Sequence, residues 1–125
     1  MSSLYRVRPG ERVEGQPTPG IARETAIETD RMWAGCASTE AGMASGWHHH
    51  GDYETSIYVL TGRLRMESGA GGSEMFDADP GDFVFVGKRA VHRESNPTDE
   101  VATFVVVRSG EGDVVVNVDG PDAAA

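Results

Sequence analysis

Three consecutive histidines, His48, His49 and His50, lie in the stretch GWHHHGDYETSIYVLTG, residues 46–62, and His92 follows far along the chain. In an extended strand, residues two apart share a face. His48 and His50 are therefore expected to point one way and His49 the other. Two imidazoles on one face, an acidic residue soon after at Glu54, and His92 from a later strand make a donor set for one divalent metal ion. Imidazole suits Fe, Zn, Ni and Cu, and Mn to a lesser degree, so the ion's identity stays open. Ligands drawn from separate strands would fix the geometry and leave positions free for water or substrate. Imidazole binds metal only when deprotonated, so metal is expected to be lost as pH falls through the imidazole range. His49 is expected to be structural or exposed. A surface histidine cluster unrelated to His92 is the plainer alternative that spacing leaves standing.

The elements that must position these side chains read as strands. Short runs rich in Val, Ile, Phe, Tyr and Thr are clearest at 56–60, 82–86, 101–107 and 113–118, and weaker at 21–28, 31–38, 63–67 and 90–95. Sixteen glycines and six prolines punctuate them, which points to an all-β sandwich or barrel of antiparallel strands. Residues 24–32 are the one place a helix could be argued, and they are read as extended. The stretch 68–73 (SGAGGS) is expected to be a hairpin loop, and Pro80-Gly81-Asp82 a tight turn feeding a strand. If Thr55, Ile57 and Val59 face inward, then Glu54, Ser56 and Tyr58 face outward.

Two spacings resemble the sequence motifs of the cupin superfamily. Gly42, five residues, His48-x-His50, an acidic residue and then Gly62 is similar to the first motif (42–62). Gly81, five residues, Gly87, then His92, three residues and Asn96 is similar to the second (81–96). The resemblance implies an all-β fold, a single antiparallel β-barrel or double-stranded β-helix of the jelly-roll type, with the metal in its mouth. It also implies His48, His50 and His92 as ligands. Where the family usually has proline and glycine within the second motif, this chain has Gly87 and Arg89. The family's acidic ligand usually lies seven residues before the first motif's last glycine. Here that position is Thr55, and Glu54 is one residue early, although Glu54 keeps the usual distance from His50. A bulge before Thr55 could re-aim Glu54. Glu54 is thus either a fourth ligand or a catalytic base beside the metal.

At 125 residues the chain is expected to be one domain, with residues 1–20 as an N-terminal arm and 120–125 as a frayed tail. The lone Cys36 excludes an intrachain disulfide and suits a reducing cytoplasm. No apolar run approaches a membrane span, no signal peptide is evident, and a charge of −9 argues against nucleic-acid or membrane partners. Trp47 and Trp33 are core residues or pocket walls, and Asn96 is expected to tie a turn. Arg93 and Glu94 flank His92, and one of them could orient a ligand, although charges at strand ends are commonly solvated. The expected function is a metal-dependent protein acting on a small oxygen-bearing organic molecule. Three histidine ligands favour a dioxygenase-type oxidoreductase. Isomerase, cyclase or lyase chemistry with Glu54 as base, or a non-catalytic small-molecule binding module, are the alternatives. The Pro-rich arm and the apolar 101–107 strand suggest a homodimer.

Overall fold

Apolar residues that alternate along a strand give it one face for a core, and two such faces must meet. The computed structural model describes residues 3–123 and shows eleven strands among them, arranged as two antiparallel sheets. In chain order they are β1 (Val13–Glu14), β2 (Ile21–Glu28), β3 (Met32–Thr39), β4 (His48–His49), β5 (Glu54–Thr61) and β6 (Leu64–Ser68). The rest are β7 (Glu74–Ala78), β8 (Phe83–Val86), β9 (His92–Ser95), β10 (Ala102–Ser109) and β11 (Val116–Asn117). One sheet runs β1-β2-β3-β10-β5-β8 and the other β11-β4-β9-β6-β7. The fold is all-β, as expected, but the two sheets face each other without closing into a strict barrel.

Strand parity decides what enters the space between the sheets. Thr55, Ile57 and Val59 of β5 are buried, and Ala102, Phe104, Val106 and Arg108 of β10 alternate inward beside them. Leu64 and Met66 of β6 and Val84 and Val86 of β8 complete the apolar floor. The polar end of the interior holds the histidines.

The turns follow the glycines. Gly62 joins β5 to β6 at φ +78°, where an added Cβ would sit 2.7 Å from the Ala102 Cβ. The 68–73 stretch is the β6–β7 hairpin loop, and the Pro80-Gly81 turn feeds β8. Asn96 ties its own turn, accepting from Thr98 N at 3.0 Å and donating to Thr39 O at 3.2 Å. Two expectations need correction. The 113–118 run contributes only the two residues of β11, and β7 forms where no strand was read. Residues 13–14 pair with β2 as an edge strand. Part of the expected frayed tail, 124–125, lies outside the described residues, while Asp122 Oδ1 accepts from Gly71 N at 3.0 Å.

Candidate metal centre

His48 in β4 is paired in register with His92 in β9, so two short neighbouring strands set two imidazoles side by side. Beyond β4, the chain turns at Gly51, and His50 rejoins His48 on the inner side. The centroid of the His48 ring lies 4.3 Å from that of His92 and 5.2 Å from that of His50. Glu94, two residues after His92 on the same strand face, completes the group. One donor atom from each of His48, His50, His92 and Glu94 lies within 4.8 Å of the others, and all four residues are buried.

The backbone fixes how these rings are presented. His48 Nδ1 donates to Gly46 O at 3.0 Å, His50 Nδ1 to Val114 O at 2.8 Å, and His92 Nδ1 to Ala90 O at 2.8 Å. A carbonyl can only accept, so each Nδ1 carries a proton and each ring turns its Nε2 to the centre. His48 Nε2 and His50 Nε2 are buried with no hydrogen-bond partner. The Glu94 Oε1 atom lies 3.1 Å from His92 Nε2 and 3.6 Å from His48 Nε2. Converging lone pairs beside a carboxylate repel one another unless a cation lies among them. Orphaned donors, fixed tautomers and one carboxylate together fit a divalent ion.

The electrostatics agree. Burial pushes the His48 imidazole below its ordinary range, against the Glu94 carboxylate 3.6 Å away, which favours the charged form. His50 is pushed far down, first by burial and then by the Arg108 guanidinium. Both rings are thus held neutral and able to ligate. Burial alone would raise the Glu94 carboxyl, but the adjacent His48 and His92 rings hold it well below the usual carboxylate range.

Comparison with known proteins shows the family and the fold. The family model described as Cupin domain (Cupin_2) matches residues 37–108, more than half of the chain. The chain belongs to the cupin family. No curated protein sequence matches this cupin. Among solved structures, the polyketide cyclase RemF from Streptomyces resistomycificus superposes with a TM-score of 0.74 at 21% identity, covering 92% of this chain and 85% of that one. KdgF from Halomonas sp. gives 0.68 at 20% identity, covering 85% and 94%. A conserved protein with a double-stranded β-helix domain from Klebsiella pneumoniae gives 0.68 at 19%, covering 95% and 99%. At these identities the likeness shows the fold alone.

In this cupin the structure brings His48, His50 and His92 together and leaves Glu54 out. Glu54 is exposed at the start of β5, with no bulge to turn it, while Thr55 faces inward and is 1% exposed. The expected Glu54 ligand or base is therefore corrected to Glu94 as the carboxylate of the cluster. His49 is buried and structural, accepting from Gly51 N at 2.9 Å. Trp33 is core, and Trp47 lies under the Arg93 guanidinium, 4.7 Å from its centroid. The rule that paired His48 with His50 also pairs His92 with Glu94, so the signal for Glu94 was present. The same alternation carries Arg108 inward after Ala102, Phe104 and Val106.

Proposed function

We propose that this cupin is a metal-dependent enzyme that promotes proton transfer, as an isomerase, cyclase or lyase, on a small oxygen-bearing organic molecule. The observation that carries the reading is the buried carboxylate of Glu94 among three imidazoles whose Nδ1 atoms are tied to backbone carbonyls. A divalent ion held there would act as a Lewis acid toward a carbonyl or enolate oxygen. His48, His50 and His92 would hold it through Nε2. Glu94 would lower the charge of the site and, through its second oxygen, stand ready to take or return a proton beside the bound molecule.

Elemental analysis of protein purified without chelators, followed by a substrate screen with and without O₂, tests this. The expected result is one Zn, Ni or Mn per chain, or Fe without O₂ uptake, and turnover that is equal in both atmospheres. Iron with O₂ consumption on adding substrate would instead establish the dioxygenase alternative. Ligand binding that survives both metal removal and His50→Ala would make the protein a binding module.

Two further expectations belong to this reading. We place the protein in the cytoplasm, on the strength of its lone thiol. Among the described residues no helix is long and apolar enough to cross a membrane. We also expect a homodimer formed through the outer face of the six-stranded sheet, where Phe83 and Phe85 are 75% and 67% exposed.

A further inference from the structure

The interior holds more positive charge than it can balance. Arg23 and Arg108 are the buried arginines among the described residues, and Glu94 is the one buried carboxylate there. An imidazole is neutral or positive and cannot offset the arginines, so the described interior carries a net charge of at least +1 before any metal is counted. A divalent ion would raise that to at least +3. Buried charge without a counter-charge is costly.

The unbalanced charge is concentrated on Arg108. It is 2% exposed, and its Nε and Nη1 atoms have no hydrogen-bond partner. Its guanidinium stacks on the ring of Trp33, 4.7 Å from the centroid, which holds the plane but satisfies none of those N–H groups. Thr55, its register partner on β5, also points inward with its Oγ1 buried and unpartnered. Arg23 differs in being partly satisfied: it donates to Thr18 Oγ1 at 2.6 Å and Gln16 O at 3.1 Å, leaving Nε open. A cavity of about 240 Å³ reaches this corner, with Arg23, Trp33 and Val114 in its wall. Val114 is also the residue whose carbonyl holds His50. Arg108 is not itself in the cavity wall, but the Trp33 ring on which it stacks is, and Val114 links that wall to His50.

We propose that Arg108 is the seat for a carboxylate of the substrate, with Thr55 Oγ1 as a second donor and Arg23 as a second positive charge. The molecule taken is then a small oxygenated carboxylic acid and not a neutral carbonyl compound. A planar guanidinium with two free N–H groups matches a carboxylate in a way a point charge does not. Burial and the neighbouring Arg23 push Arg108 down to about 9, which still leaves it charged at neutral pH. The rest of the acid would extend toward the histidines; this last statement rests on the metal reading above, but the carboxylate seat does not.

Titration of malonate, with neutral malonamide as control, into metal-free and zinc-loaded protein tests the seat. Malonate is expected to bind both forms and malonamide neither. Arg108→Gln should weaken malonate binding about tenfold or more, and Arg108→Lys by less. Zinc content should stay as in the unaltered protein. The ¹⁵Nε resonance of Arg108 should shift on malonate addition, a reading that needs no variant and stands even if Arg108→Gln fails to fold. Equal binding of malonate and malonamide, or an Arg108 resonance that does not move, would overturn the seat. Malonate binding to Arg108 in a protein that takes up no zinc would keep the seat and remove the metal reading.

Discussion

Glu54 and Glu94 carry the same carboxylate in opposite surroundings. Glu54 lies on the solvent side of β5, whereas Glu94 is 5% exposed and touches two imidazoles. Glu54→Gln is expected to leave zinc affinity unchanged and stability within about 0.5 kcal/mol. Glu94→Gln should lower zinc affinity by about 10- to 100-fold, as measured by competition with a chromogenic chelator. Equal affinities in the two variants would return the acidic ligand to open question. The histidines add a pH dependence whose sign follows from burial. His48 and His50 lie below the ordinary value of 6.5 in the folded chain, so the unfolded chain takes up protons that the folded one does not. Stability of the metal-free protein should then fall as pH drops below about 6.5, by up to about 1.4 kcal/mol per pH unit for each ring. Bound metal, by contrast, should survive below the ordinary imidazole range, because burial keeps the His48 and His50 nitrogens neutral until the fold gives way. Zinc content and urea midpoints at pH 8, 6.5 and 5.5 check both. Half the zinc released near pH 6.5 from a fully folded protein would contradict this.

At the scale of elements, what could be read from the sequence was what alternates. β5, β8 and β10 alternate apolar residues with β-branched or aromatic neighbours, and their inward faces follow from parity. β7 (EMFDA) has no β-branched residue, and only its last residue, Ala78, is buried, so nothing in it marks a strand. It forms because the glycine-rich loop returns it antiparallel to β6, from Leu64 opposite Ala78 to Ser68 opposite Glu74. β4 is legible only through its neighbours, since two residues have no period; its partners β9 and β11 make it a strand. For the same reason the acidic ligand was sought near the first histidines in sequence, while the sheet supplied it from β9. Gly62 shows how far a single turn position matters. Its positive φ and the 2.7 Å approach to Ala102 exclude a side chain without movement of β10. Gly62→Ala is expected to cost about 1–3 kcal/mol, seen as a lower denaturant midpoint at unchanged m-value. A midpoint equal to that of the unaltered protein would mean the β5–β6 corner can yield.

For the whole molecule, the six-stranded sheet ends in β8, an edge strand whose outward residues Phe83 and Phe85 are exposed. An open edge beside bare aromatic rings is a surface that proteins usually cover. Val107, on the same outer side of this sheet, is 38% exposed and extends the apolar ground. A second copy would cover it by a two-fold contact, in which each β8 meets the other's. Each chain, however, carries −9, so two copies repel over distances set by the ionic strength. Apolar attraction and charge repulsion respond oppositely to salt, which makes the prediction specific. At micromolar concentration the dimer should be favoured in 150 mM salt and weakened in 20 mM salt, as read by light scattering. Phe83→Asp with Phe85→Asp should give a monomer at either salt concentration, with an unaltered zinc content because both side chains point away from the cluster. A monomeric mass for the unaltered chain at both salt concentrations would show that solvent alone faces this edge.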